Sequence, residues 1–468
     1  MEKRLKLDKW EYYMEDRISE LSDEILENIL SLLTMKEAAR TSVLSHRWEN
    51  LWKFFTGSLD FVIPNKSVGL KQRKVSSIIG RPRYINWVNQ VLNSHRGQTI
   101  DELKICFDLE DSHDGRFFDR WINFAIEKRV RMLELDLSRQ YLYSQLGYTY
   151  AFPFWLLNLP LGFSSFDTLT SLCLTCVNIT GEGVAYFLSS CPLLEHLSLR
   201  LSLSLVNLKV AGTSLKLKHL EIASCTNLKD IEISAINLVS FKYFGPKISM
   251  SFQKVPLLAE VSIRGHYCDI LVSEYKKPTF YLSQLEKLIL ELDCQNTEIY
   301  MCEGGFFPKF SNLKELEIKV WVFNDQCILL LNSLINGSPC LYRFLLEVTF
   351  RGPAPSWAKF NWEREIMHSQ VRQVTESAHQ CLKVVEFTRW VGLEADVELA
   401  MCLLESVVSL EKMIIDARNP SFMGGLGLGF MEDWDFQELE TTNGKAAARE
   451  RARQLEAKLP PHAELVIL

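Results

Sequence analysis

The chain has 468 residues, of which 47% are hydrophobic and 24% charged, with 22 Gly and 15 Pro. That apolar content buries a large core and excludes wholesale disorder, and the length suits two or three domains or one elongated repeat array. A net charge of −6, from 52 basic and 58 acidic residues, leaves no concentrated positive footprint, so nucleic acid is disfavoured as the main partner.

Twelve cysteines are scattered without framework spacing, several inside strand-like runs, as at Cys106, Cys173 and Cys268. They read as reduced, buried thiols. The N-terminal MEKRLKLDKWEYYMEDR has no apolar core for a signal peptide, and no run approaches the ~18 apolar residues of a membrane span. The expectation is a nuclear or cytosolic protein, not a secreted one.

Residues 16–56 carry three helical patterns. Ser22 stands as N-cap before Asp23 and Glu24, acidic residues that the helix dipole favours in a first turn. Ile25, Leu26, Ile29, Leu30 and Leu33 then form one apolar helix face. Thr34 and Glu37 have capping-box spacing for a second helix. Ser45 can cap a third, with Trp48, Leu51 and Trp52 on one face. So short a bundle has a marginal core of its own. Either its surplus apolar residues face a partner, or the helices cap the array that follows.

The run Leu21-Ser22-Asp23-Glu24-Ile25-Leu26, the later Val43-Leu44-Ser45-His46-Arg47-Trp48, and the spacing between them resemble the F-box. Ser22 departs from the family's usual Pro, but Ser starts a helix equally well. The resemblance implies docking to a Skp-type adaptor, and through it to the cullin and RING subunits of a ubiquitin ligase. Matched position by position, the implied contacts are Leu21, Ile25, Leu26, Ile29, Leu30, Val43, Leu44 and Trp48. Residues 57–99 read as a connecting segment, in which Lys71-Gln72-Arg73-Lys74, with Arg81 and Arg83, make a small basic patch best read as a solvated loop.

Residues 100–355 read as a repeat array: the frame L-x-x-L-x-L recurs there and beyond, with other apolar residues allowed. Strong copies begin at Leu169, Leu194, Leu205, Leu217, Leu228, Leu238, Leu258, Leu285 and Leu313. Weaker ones begin at Ile100, Met132, Leu341, Leu382 and Leu410. The last three residues of each frame alternate as a half-buried strand, and one such unit cannot hide its apolar face without a stacked neighbour. The pattern resembles the leucine-rich repeat family, LKHLEIASC fitting its cysteine-containing form with Cys225 at the turn. Steps of 28 residues from Leu285 to Leu313 to Leu341 hold a strand and a return helix. Between Leu194 and Leu238 the steps shrink to 11, 12, 11 and 10 residues, which leaves no room for helices. Strands on both flanks are expected there, alternate frames lying on opposite sides.

Residues 356–468 change to longer helix–strand alternation. A helical stretch leads to His379, a strand follows at Leu382–Phe387, and a helix at Ala395–Val407 places Val397, Ala400, Met401 and Leu404 on one side. A strand at Leu410–Ile415 comes next. A glycine-rich loop at Gly424-Gly425-Leu426-Gly427, a charged helix Ala446–Leu459 ended by Pro460-Pro461, and a strand Ala463–Leu468 complete the chain. CLKVVEFTRWVGLEADVELAMCLLESVVSLEKMIID and the closing PPHAELVIL look like the FBD domain of plant F-box proteins. The bottom-up reading of this region is a cap on the repeat array.

Catalytic and metal signatures do not assemble. Cys173 and Cys176 form one C-x-x-C without a second pair, and Cys173 sits between inward Leu172 and Leu174. Asp108, Glu110, Asp111, His113 and Asp114 miss calcium-loop spacing. There is no G-x-S-x-G, no H-E-x-x-H and no phosphate loop. The expected fold is α/β: a three-helix F-box, an irregular leucine-rich repeat solenoid and an α/β FBD-like cap. The expected function is non-catalytic, without a cofactor, nucleic acid or membrane. It is that of a receptor subunit holding an unknown target protein for an SCF-type ligase. The competing class is a repeat scaffold whose N-terminal helices bind no adaptor, which predicts that Trp48 and the Ile25/Ile29 face are buried within this chain.

Overall fold

The structure, a computed structural model, describes residues 18, 20–62, 80–107, 115–138, 150–154, 166–212, 214–265, 283–293, 309–322, 331–351, 379–392, 394–418, 421–423, 437–438 and 442–468. The basic run 71–74, the acidic cluster 108–114, Cys268, the helical stretch before His379 and the glycines 424–427 lie outside these residues. The chain divides into two compact units, one of residues 1–141 and 153–171, the other of residues 142–152 and 172–468.

The first unit joins three short helices to two strand–helix units. Helix α1 is Asp23–Ser31, α2 is Met35–Arg40 and α3 is Trp48–Leu51, the last continuing as a tight 3-10 turn through Phe54. Strand Ser58–Asp60 then pairs in parallel with Glu102–Cys106, which pairs in parallel with Met132–Asp136. Repeat-like pairing therefore begins inside the segment read as a connector. A strand of three residues without a leading leucine is too weak a signal to stand out in the sequence. The return helices Arg81–Ser94 and Gly115–Glu127 pack through aromatic side chains. The ring of Tyr84 lies 5.1 Å from that of Phe107, and Phe118 meets Trp121 at 5.3 Å. Trp121 Nε1 donates to Asn89 Oδ1 at 3.0 Å, so the polar edge of the buried indole is satisfied.

In the second unit the strands alternate with loops and helices in an ordered parallel sheet. After Ser171–Thr175 it runs His196–Arg200, His219–Ala223, Ser240–Phe244, Glu260–Arg264, Lys287–Asp293, Glu315–Val322, Arg343–Arg351, Val384–Thr388, Lys412–Ile415 and Glu464–Ile467. Each of the fourteen frames seen in the sequence supplies a strand. Register matches frame to frame, as in Leu197↔Leu220↔Phe241↔Val261. The leading leucines Leu194, Leu217, Leu238, Leu258, Leu285, Leu313 and Leu341 are all buried. The sheet crosses residue 356 and continues to the C-terminus without a change of direction. The FBD-like segment thus extends the same parallel ladder.

The short-step stretch carries strands on two flanks, as its spacing requires. The frames at Leu205 and Leu228 give Asn207–Ala211 and Asp230–Ser234, and the latter pairs with both the former and Ser249–Phe252 in a separate three-stranded parallel sheet. Ser249–Phe252 escaped the frame search because no leucine leads it. Chain reversal after the main strands falls on residues in the left-handed region, Cys176, Leu201 and Ser224, each donating its N–H to the end of the next strand. Helix Gly181–Ser190 comes so near the Asn207 carbonyl that any β-carbon at Gly181 would overlap it.

The last helices differ in phase from the sequence reading. Helix Glu394–Ser406 buries Leu399, Ala400, Leu403 and Leu404, whereas Val397 and Met401 are only half-buried. In an apolar-rich helix, composition blurs which of several stripes faces the core. Helix Thr442–Gln454 begins earlier than expected, ends in a 3-10 turn at Leu455–Lys458, and buries Ala448, Arg451 and Ala452.

Candidate protein-binding surfaces

The N-terminal helices separate into an inner and an outer set of apolar side chains. Leu26 and Leu30 of α1, Ala38 of α2, and Trp48 (3% exposed) and Leu51 of α3 form the inside. Thr34 caps α2 through a complete capping box, its hydroxyl accepting from Glu37 N at 3.3 Å while the Glu37 carboxylate accepts from Thr34 N at 3.0 Å. The Thr34 hydroxyl also donates to the Glu37 carboxylate at 2.7 Å, and this bond, with the backbone one, holds the Glu37 carboxyl below its ordinary value. Ser22 occupies the N-cap of α1, but its hydroxyl makes no capping bond there. Arg47 closes the turn by donating from Nε to Asp23 Oδ1 at 3.2 Å. Ser45 Oγ lies 3.5 Å from Trp48 N, at the limit of a capping bond.

Of the eight residues matched to an adaptor contact, Leu26, Leu30 and Trp48 lie inside the bundle and serve as its core. Leu21 is half-buried. Ile25 (46% exposed), Ile29 (37%), Val43 (86%) and Leu44 (63%) face outward. Leu32, 87% exposed, continues the Ile25/Ile29 face of α1 at i+7, and Ile18 and Phe54 are exposed as well. The matched motif did not single these out. The i, i+4, i+7 spacing of Ile25, Ile29 and Leu32 was a signal available for Leu32.

The second unit presents the outward residues of its main sheet. From Arg200 onward they are linked across strands by opposite charges. Arg200 Nη2 meets Glu221 at 2.8 Å, Lys287 meets Glu315 at 3.0 Å, Lys319 meets Glu347 at 3.3 Å and Arg343 meets Glu386 at 2.6 Å. The bonds to Glu315 and Glu386 raise the basicity of Lys287 and Arg343. One stretch is less charged: Cys173 Sγ lies 3.6 Å from His196 Nδ1, and the His196 ring lies 6.2 Å from that of His219. Burial, with His219 beside it, pushes the His196 imidazole down. The C-x-x-C residue Cys173 is thus engaged with His196. Cys225 is buried at its turn, donates toward Ala223 O at 3.5 Å, and is pushed up to about 11 by burial, an unreactive structural thiol. Among the described residues, no group of three or more His, Cys, Asp or Glu side chains is gathered to hold a metal ion, and no helix is long and apolar enough to cross a membrane.

A three-helix module before stacked parallel strands, most of them led by a buried leucine, defines an F-box joined to leucine-rich repeats. Residues 18–55 match the F-box domain, and residues 159–467 match the family described as At1g61320/AtMIF1, LRR domain. The chain belongs to this plant F-box/leucine-rich repeat family. Three relatives from Arabidopsis thaliana illustrate it. The F-box/LRR-repeat protein At3g03360 is 29% identical over 64% of this chain and 61% of its own length. The F-box/LRR-repeat protein At2g42730 is 29% identical over 49% of this chain and 52% of its own. The putative FBD-associated F-box protein At5g38570 is 26% identical over 85% of this chain and 89% of its own. This chain therefore spans between half and two thirds of the length of the first two relatives.

Proposed function

We propose that this chain is a substrate-receptor subunit of an SCF-type cullin-RING ubiquitin ligase. Its F-box helices dock a Skp-type adaptor, and its repeats hold a target protein. The observation that carries the reading is the outer apolar set Ile25, Ile29, Leu32, Val43 and Leu44, left exposed on a module whose inside is already filled by Leu26, Leu30 and Trp48. Exposed apolar side chains at helical spacing are what a partner helix or groove covers. The scaffold reading requires both Trp48 and the Ile25/Ile29 face to be covered by this chain, and only Trp48 is.

On this reading the chain is not the catalyst. It raises the local concentration of a target lysine near the charged ubiquitin-conjugating enzyme, a gain that a rigid stack of repeats preserves. The outward sheet face, with its ordered acidic and basic side chains, suits a partner of complementary charge pattern, because such patterns set specificity more than raw affinity.

The test is a pull-down of the full-length chain with a plant Skp-type adaptor, beside an Ile29→Asp, Val43→Asp variant. Both positions are exposed, so circular dichroism should be unchanged. Capture should fall by roughly thirtyfold or more, the loss of at least one hot-spot contact of about 2 kcal/mol. Absence of binding by the wild-type chain sinks the proposal.

A further inference from the structure

Along the repeats, the residue just before a leading leucine reaches back to the preceding coil. Asn237 Nδ2 donates to Leu215 O at 2.6 Å, and Asn312 Nδ2 to Ser283 O at 2.9 Å. Gln284 Nε2 donates to Val255 O at 2.6 Å and Ser409 Oγ to Leu382 O at 3.0 Å. On the second flank, Asn227 Nδ2 donates to Leu203 O at 2.8 Å. Two adjacent coils carry cysteine at this position instead: Cys340 before Leu341, and Cys381 before Leu382. Both leucines are buried, and both cysteines are exposed and free.

These two coils are tied together on either side of the two thiols. Above them Arg343 pairs with Val384, and Lys383 N donates to Tyr342 O at 2.9 Å. Below them His379 Nε2 donates to Ser338 O at 2.9 Å, while His379 Nδ1 accepts from Cys381 N at 3.3 Å and Leu382 N at 3.1 Å. Carried three residues back from Arg343↔Val384, through the Lys383–Tyr342 bond, the same parallel register sets Cys340 level with Cys381. Neighbouring backbones in such a ladder are about 4.8 Å apart. A disulfide spans Cα separations of roughly 4.4–6.8 Å.

We propose that Cys340 and Cys381 form a reversible dithiol–disulfide site whose oxidant is a peroxide. One thiolate attacks the O–O bond, forming a sulfenic acid and releasing hydroxide, which is protonated to water. The second thiol attacks the sulfenic sulfur, forms the S–S bond and expels a second water. Two thiols thereby lose two protons and two electrons, and one peroxide becomes two waters. Reduction by a dithiol reverses the step. The bond staples the coil of strand Arg343–Arg351 to the coil of strand Val384–Thr388, where the ladder enters the FBD-like segment.

The test uses the full chain, reduced, freed of reductant and treated with hydrogen peroxide, then read by intact mass and non-reducing peptide mapping. The expected result is a loss of two hydrogens and one linked peptide joining Cys340 to Cys381, removed by dithiothreitol. In Cys340→Ser and Cys381→Ser, both surface changes, that peptide is absent and dimedone traps a sulfenic acid on the remaining cysteine. The proposal is overturned if both thiols remain fully alkylatable after peroxide. It is equally overturned if both carry separate sulfenic acids without a linked peptide, or if either joins a different cysteine or a second chain.

Discussion

The imidazole of His95 fastens the end of helix Arg81–Ser94 to the last turn of the F-box helices, Nε2 donating to the Phe55 carbonyl at 2.7 Å. The ring is buried, meets the Phe124 ring edge-on at 5.9 Å, and has Lys128 as a positive neighbour. Burial is the main cause that pushes its pKa down, with Lys128 adding to it. Below the ordinary imidazole value of about 6.5, the unfolded chain therefore takes up a proton that the folded chain refuses. The stabilisation is complete above that value and is lost as pH falls toward the lower folded value. Hydrogen-exchange protection in helix Arg81–Ser94, taken relative to the intrinsic rate at each pH, should fall as pH drops below about 6.5. His95→Gln keeps a donor for Phe55 and should flatten that dependence. His95→Ala strands a buried carbonyl and should cost about 1–3 kcal/mol even at pH 7.5. A protection factor that stays constant with pH in the wild type would refute the assignment.

Two serine/threonine caps that look alike in sequence should behave differently. Thr34→Ala removes both hydroxyl bonds to Glu37 but keeps the backbone N–H half of the capping box, and should destabilise α2 by about 1 kcal/mol. Ser22→Ala should change stability by only a few tenths, because the Ser22 hydroxyl makes no capping bond. Urea denaturation of the two variants side by side measures the difference, and equal losses would contradict it.

Trp48 and Val43 belong to the same motif but lie on opposite sides of its core. Trp48→Ala opens a cavity among Leu26, Leu30 and Leu51 and should cost about 3–5 kcal/mol. Val43→Ala, at an exposed position, should stay within about 0.5 kcal/mol. Near-ultraviolet circular dichroism and denaturant midpoints separate the two. A stable, native-like Trp48→Ala chain would show that the indole is not a core residue.

Arg451 is buried in helix Thr442–Gln454 and donates from Nη1 to the carbonyls of Val391 and Gly392, each at 3.1 Å. Gly392, at φ 74°, leaves the space that the arginine fills. Burial pulls the guanidinium down to about 10, still protonated near neutrality. Arg451→Met should cost about 3 kcal/mol, the worth of one or two charged hydrogen bonds. Exchange should rise in strand Glu464–Ile467 while strand His219–Ala223 keeps its protection. Uniform protection across both strands would remove Arg451 from this role.

The repeat array was legible because each leading leucine and its alternating strand repeat one physical demand, burial against a neighbour. The two-flank arrangement followed from arithmetic alone, since 10 to 12 residues hold one strand and one turn but no helix. What escaped lacked that signature: Ser58–Asp60 and Ser249–Phe252 have no leading leucine. The phase of helix Glu394–Ser406 depends on contacts made far along the chain. In the F-box the motif picked out eight apolar residues but could not tell inside from outside. Ile25 and Leu26, or Ile29 and Leu30, are neighbours in sequence, and only the packing of α3 decides which of each pair turns inward.

The two-flank stretch also limits how this lineage can gain or lose length. Excising a single frame between Leu194 and Leu238 would send every later strand of that stretch to the wrong sheet, exchanging inner for outer neighbours at each level. Excising two together leaves the alternation intact. Viable insertions and deletions there should come in even numbers of frames, whereas the 28-residue steps further along can change one at a time.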